Sequence, residues 1–298
     1  MRYAAIDIGS NAVRLLIADI IQNDKVLSFK KTTLIRVPLR LGDDAFINQE
    51  ISKQKAEDLV KTMSAFRNLM DVYKVSKYMA CATSAMREAN NGSEIVEKVK
   101  DAGIDLQIIN GAKEAKIIYS SHLERHIEPK KAYLYIDVGG GSTELSVFSD
   151  AKVVASQSFD IGTIRMLDNK DKEETWEAMR RWTREHTKAF KSVYGIGSGG
   201  NINKLSRLAN ENGDKPISYN KLKALYAYLN SFSLRDRINV LGLNQDRADV
   251  IIPACEIFLT LMKHGRLRQI IVPRIGLVDG IVQMLIDERA GELLREGA

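Results

Sequence analysis

The chain has 298 residues, 45% of them hydrophobic and 28% charged, with a net charge of +6. That supplies the core of one large or two ordinary domains, and two cysteines, Cys81 and Cys255, exclude a disulfide scaffold and point to a reducing compartment. The basic balance fits an anionic partner, but no lysine/arginine block interleaved with aromatics argues for nucleic acid, and no apolar run is long enough to span a bilayer.

Residues 3–9 and 13–20 alternate as a hairpin of strands. The first strand starts so near Met1 that no signal peptide is expected, which implies a cytoplasmic protein. Lys25 to Leu41 continues the alternation with Lys30, Lys31, Arg36 and Arg40, either facing a ligand or guarding an edge strand. Residues 52–73 predict an amphipathic helix with Ala56, Leu59, Met63, Phe66, Met70 and Tyr73 on one face. Residues 78–83 read as a buried strand ending at Ser84–Arg87. Ser93 is placed to cap a helix over 94–102, Gly103 ends it, and 104–109 read as a strand. Gly111 then opens a helix with Glu114 in its first turn, where a carboxylate also gains from the helix dipole. The polar stretch Glu128–Lys131 predicts a domain boundary, giving lobes 1–127 and 128–298.

The second lobe opens like the first, with strands over 132–138, 143–149 and 152–159 and a turn at Gly162. A charged helix over 172–190 offers Trp176, Met179, Trp182 and Phe190 to the core. Val193 to Asn201 is a glycine-rich turn between a strand and a helix over 202–210, a ready anion site. It is neither G-x-G-x-x-G nor a Walker A loop. Ser218 and Ser233 predict helix caps, Pro253 fits the first position of a helix to His264, 269–272 is a strand, and 277–288 a final helix. His122, His126, His186 and His264 share no metal-like spacing.

One stretch carries the most chemistry. Tyr135–Val147 reads as an apolar strand, the carboxylate Asp137, the turn Gly139-Gly140-Gly141-Ser142, then a second strand bearing Glu144. Glycines allow positive φ and close approach of backbone N–H groups to an anion, and an aspartate at a strand end suits Mg²⁺, although a plain hairpin has the same outline. Ile6-Asp7-Ile8-Gly9-Ser10-Asn11 repeats the pattern without two of the glycines. Two copies predict two α/β lobes with mixed sheets, and a ligand in a cleft between them.

These residues resemble the exopolyphosphatase/guanosine pentaphosphate phosphohydrolase family. The resemblance runs nearly end to end, through Ile6–Leu16, Ala82–Arg87, Gly111–Tyr119, Asp137–Leu145, Gly197–Gly200, Arg247–Pro253 and Gly276–Gly280. It implies two ribonuclease-H-like lobes of the actin, sugar-kinase and heat-shock-chaperone superfold. It implies hydrolysis of a terminal phosphoanhydride with Mg²⁺ or a similar divalent cation. Glu114 takes the place of the general base, Arg87 that of the arginine on the terminal phosphate, and Asp137 and Glu144 those of acids handling metal or water. Lys113 stands where the family often has an acid, and Gly-Leu-Val-Asp-Gly replaces Gly-Leu-Arg-Glu-Gly. The extra helical histidine-aspartate domain of larger members is not expected.

On this reading Gly9, Ser10, Asn11, Gly139, Gly140, Gly141, Ser142, Gly199 and Gly200 bind phosphate, and Asp7, Asp137 and Glu144 bind the metal. The expected substrate is inorganic polyphosphate, in a homodimer with no nucleic acid or membrane partner. Guanosine pentaphosphate hydrolysis, an ATP-dependent kinase or ATPase, and a non-catalytic phosphate-binding module are the alternatives.

Overall fold

The computed structural model describes residues 1–23, 26–121, 128, 130–150, 152–209, 215–273 and 275–296. His122, His126 and Pro129 lie outside the described residues. The chain forms two compact units, Met1–Leu123 with Gly276–Ala298, and Glu124–Ile275.

Unit 1 begins with β1 (Arg2–Ile8), β2 (Val13–Asn23), β3 (Val26–Val37), α1 (Leu41–Asn48) and α2 (Lys53–Val72). It continues with β4 (Lys77–Ala82), α3 (Ser84–Glu88), α4 (Gly92–Asp101), β5 (Leu106–Ile108) and α5 (Gly111–Tyr119). Its sheet runs β3-β2-β1-β4-β5, antiparallel across the first three strands and parallel from β1 through β5. β3 is an edge strand, so its lysines occupy the guarding position. The predicted stripe of α2 is buried at Ala56, Leu59, Met63, Phe66 and Met70, while Tyr73 lies just past the helix and is half-buried. Burial of each large member contributes about 1.5–3 kcal/mol. The N-cap position of α4 is Asn91, two residues before the expected cap Ser93.

Unit 2 contains β6 (Ala132–Val138), β7 (Thr143–Ser149), β8 (Lys152–Phe159), α6 (Thr163–Leu167), α7 (Glu173–Thr187), β9 (Val193–Ser198) and α8 (Gly200–Ala209). β10 (Ile217–Ser218), α9 (Tyr219–Asn230), α10 (Leu234–Asn239), α11 (Gln245–Ala248), α12 (Ile251–His264) and β11 (Gln269–Ile271) complete it. The order β8-β7-β6-β9-β11 repeats that of unit 1, with the same antiparallel and parallel pairs, and β10 adds an edge. The core lies between this sheet and its helices, and includes Ile136, Leu145, Trp176, Trp182, Phe258 and Leu261. Ser218 and Ser233 cap their helices, accepting from Lys221 N–H and Asp236 N–H. Pro253 is the third residue of α12, not the first, and still needs no intrahelical donor there.

The repeat is more regular than the letters. Asp7 faces Arg14 and Asp137 faces Glu144, so both strand pairs close on equal turns, Gly9–Ala12 and Gly139–Ser142. In each, the first glycine's N–H donates to the fourth residue's carbonyl, at 3.2 and 2.9 Å. The expected two-glycine insertion is therefore absent, and Ser142 is the counterpart of Ala12. Each second strand also shifts register after its fifth residue, at Ile17/Ala18 and Val147/Phe148.

One expected boundary moves. The final helix, α13 (Leu277–Glu296), packs on β1, β2, β3, β4 and α5, so the expected lobe 128–298 gives its last residues to unit 1. The physical reason is an apolar face, Ile281, Val282, Leu285 and Ile286, buried in that unit.

Candidate active site

In unit 1 the candidate residues collect at the carboxyl ends of the parallel strands, where open α/β sheets bind ligands. Asp7 is the penultimate residue of β1 and the Gly9–Ala12 turn follows it, Ser84–Arg87 follow β4, and Glu114 follows β5. Each is held from several sides. Ser10 Oγ lies 2.8 Å from Ser84 Oγ, tying the turn to α3. Arg87 donates from Nη1 to the carbonyl of Ile109 at 2.7 Å, one of its five donors, and so anchors the chain entering α5. Asn110 caps α5 by accepting from Lys113 N–H at 2.9 Å. Glu114 then sits buried in the first turn of that helix. Lys113, whose charge stands where an acid was expected, turns away and donates to Gln107 Oε1 at 2.9 Å.

Asp7 is 4% exposed and takes a 2.5 Å ion pair from Arg14 Nη1. Cys81 is its register partner on β4. Burial pushes that thiol up to about 11, so it is no nucleophile at neutral pH.

In unit 2, Asp137, the Gly139–Ser142 turn, Gly199 and Gly200 lie at the carboxyl ends of β6 and β9. Ser198 Oγ is within hydrogen-bond reach of Asp137 Oδ2, at 3.3 Å. Glu144, directly across the strand pair, accepts from Ser158 Oγ at 3.0 Å. Gly199 has φ +99°, and a Cβ there would stand 3.0 Å from Asp137 Oδ1. Gly9 and Gly139 need no left-handed backbone; they need room, since a Cβ would meet the carbonyl of Ala12 or Ser142 at 3.2 or 3.1 Å.

Both turns are clamped by a short helix that follows the third strand of the unit. In unit 2, Thr163 N–H donates to Gly139 O, Ile164 N–H to Gly140 O and Arg165 N–H to Gly140 O, at 3.0, 2.8 and 3.2 Å. The buried Arg165 adds a 2.9 Å bond from Nε to Gly141 O. In unit 1, Gly42 N–H at the start of α1 donates to Ser10 O, and Arg40 N–H to Asn11 O, at 2.9 and 3.0 Å. These helices take the turns' carbonyls, an arrangement that suits anion binding by the opposite, N–H side. The strand alternation of Lys25–Leu41 hid α1, and the turn signal at Gly162 hid α6. Arg247, given no separate role from the sequence, lies over Gly200, where a Cβ would approach its guanidinium to 2.7 Å. It also donates to Asn201 Oδ1 at 3.4 Å.

Among the described residues no three His, Cys, Asp or Glu side chains converge as a metal site. Mg²⁺ does not require three; it usually binds one or two carboxylates plus substrate phosphates and water. Asp137 and Glu144 lie directly across the strand pair and offer two carboxylates of the kind such an ion takes. Asp7, already paired with Arg14, fits it less well.

The Ppx/GppA phosphatase family model matches residues 20–288. The chain belongs to this family. It is 24% identical to exopolyphosphatase 1 of Mycobacterium leprae over 97% of this chain and 91% of the relative. It is 26% identical to a putative exopolyphosphatase of Haemophilus influenzae, over 95% and 90%. Among solved structures, the Ppx/GppA family member of Aquifex aeolicus aligns with a TM-score of 0.76 and 26% identity, covering 97% of this chain and 98% of that one. An exopolyphosphatase from Cytophaga hutchinsonii has the same fold, with a TM-score of 0.83 at 22% identity over 97% and 98%. No helix among the described residues is long and apolar enough to cross a membrane.

Proposed function

We propose that this Ppx/GppA phosphatase is an exopolyphosphatase that releases terminal phosphate from inorganic polyphosphate. The observation that supports this most is the buried Glu114 in the first turn of α5, with Arg87 bonded to the backbone just ahead of that helix. The relatives named exopolyphosphatase, matched over nine-tenths of both chains, support the substrate class.

In the proposed reaction Glu114 accepts a proton from water as the water oxygen bonds to the terminal phosphorus. The bridging P–O bond breaks, and its electron pair stays on the shortened chain. The remaining donors of Arg87 neutralise the terminal phosphoryl, a role worth about 10³–10⁵ in rate for arginines that act this way. Backbone N–H groups of Ser10 and Asn11 receive phosphate oxygens in unit 1, while the Gly9 N–H, expected among them, is held by Ala12 O and closes the turn. Those of Gly140–Ser142, Gly199 and Gly200 do so in unit 2, where the Gly139 N–H is likewise held by Ser142 O. Asp137 and Glu144 would hold Mg²⁺, which when bound neutralises phosphate charge. Asp7 orients Arg14 in this scheme.

The test is phosphate release with Mg²⁺ from short and long polyphosphate, guanosine pentaphosphate and ATP. Polyphosphate is expected to give the highest kcat/KM. Glu114→Gln should lower kcat by about 10²–10⁴-fold while the protein stays folded. A preference for guanosine pentaphosphate or ATP overturns the substrate, and a near wild-type Glu114→Gln overturns the base.

A further inference from the structure

We propose that Gly280 is a positioning residue for Glu114, a role that rests on reading Glu114 as the base. Gly280 lies in α13, where a Cβ would stand 1.9 Å from the carbonyl oxygen of Ile117, 2.6 Å from its carbon and 3.0 Å from its Cγ2. The first two are backbone atoms, which cannot swing aside as a side chain can. Its α-hydrogen occupies that direction instead, the close Cα–H···O approach seen where helices cross tightly. Ile117 follows Glu114 by three residues and so shares its face of α5.

The two helices are not equally fixed. α13 is seated on the sheet by Ile281, Val282, Leu285 and Ile286, each at most 2% exposed. Its first turn is fastened twice more through Asp279, whose Oδ2 accepts from Gly276 N–H at 3.0 Å and whose Oδ1 pairs with Lys31 Nζ at 2.6 Å. α5 is nine residues long and is held at its front by Asn110 and by Arg87 on Ile109. Its rear rests on Gly280. Any atom added at Gly280 pushes α5 rather than α13, and moves Glu114 with it. Arg87 and the cap set where α5 starts, and Gly280 sets its tilt.

Gly280→Ala is expected to lower kcat by about 10²-fold, the effect of displacing a reacting group by about 1 Å, with KM changed less than about threefold. Gly291→Ala is the control in the same helix: nothing lies within 4 Å of its Cβ, so kcat should hold and the melting temperature should stay or rise. In a Glu114→Gln background Gly280→Ala should have little further effect, because groups acting as one unit are not additive. Ile117→Leu removes the Cγ2 of that contact at near-constant volume and adds nothing at Gly280. It should lower kcat by about threefold at near-constant KM, and it serves if Gly280→Ala does not fold. Wild-type kcat in a folded Gly280→Ala, or in Ile117→Leu, overturns the proposal, as does an undiminished loss in the Glu114→Gln background. A wild-type-like Glu114→Gln instead overturns the base assignment, and this proposal with it.

Discussion

Gly162→Ala tests whether the clamp on the glycine turn of unit 2 matters. Gly162 has φ −149° and ψ 164°, extended backbone that alanine adopts freely, so only space is at stake. Its Cβ would stand 2.3 Å from Gly140 O, 2.4 Å from Gly140 C and 2.5 Å from Gly141 C. Ordinary contact begins near 3.4 Å, so the turn and α6 must part by about 1 Å. Four hydrogen bonds span that gap, three from backbone N–H groups and one from Arg165 Nε. Losing two of the four costs about 1–3 kcal/mol, at roughly 0.5–1.5 kcal/mol each. Overpacking adds about 1–3 kcal/mol, so unit 2 should lose roughly 2–6 kcal/mol. Calorimetry should show its melting temperature lower by on the order of 10 °C. Phosphate release should show KM for polyphosphate raised by about tenfold or more, because the turn's N–H groups shift with its carbonyls. Gly139→Ala is the milder partner, since its nearest contact is 3.1 Å and needs a few tenths of an ångström. A Gly162→Ala protein with unchanged melting temperature and unchanged KM would refute the reasoning.

Two further outcomes separate roles that look alike. Asp137→Asn should raise the Mg²⁺ concentration needed for half-maximal phosphate release, whereas Asp7→Asn should chiefly destabilise unit 1 by stranding Arg14; a Mg²⁺ titration of both reads the difference, and equal shifts reject it. His264 should make unit 2 less stable in acid. Burial first, then Arg184, Arg180 and Lys263, hold its imidazole below the usual 6.5, and Arg184 Nη1, which can only donate, lies 2.9 Å from its Nδ1. A lowered histidine pKa gives stability that is complete above 6.5 and lost as pH falls through the folded value. Urea midpoints at pH 7.5 and 5 should therefore fall further for the wild type than for His264→Gln; parallel losses would count against it.

Much of the fold could be read locally. Strand alternation at 3–9, 13–20, 132–138 and 143–149, the apolar stripe of α2, and the caps Ser218 and Ser233 depend on neighbours within a few residues. So does the doubled Asp–glycine turn, which exposed the repeat. Elements whose shape depends on distant partners were missed. α1 and α6 are short, and they owe their form to donating to turn carbonyls about thirty and about twenty-five positions earlier. Ser93 had the chemistry of a cap, yet the N-cap position of α4 is Asn91, whose side chain instead accepts from Ile51 N–H and donates to Ile51 O, at 3.0 and 2.7 Å.

The sequence alone carried the resemblance that marked Glu114 and Arg87, and it determined the two-lobe α/β class and the paired aspartate–glycine turns, because those follow from residue type and short-range period. Tertiary structure decided what each one touches. Strand register put Arg14 opposite Asp7 but Glu144 opposite Asp137, so two copies of one motif became an ion pair and an acid pair. Packing returned α13 to the first unit and brought Gly280 onto Ile117 across 163 positions of sequence. Both depend on faces meeting in space, and no local pattern of residues records which faces those will be.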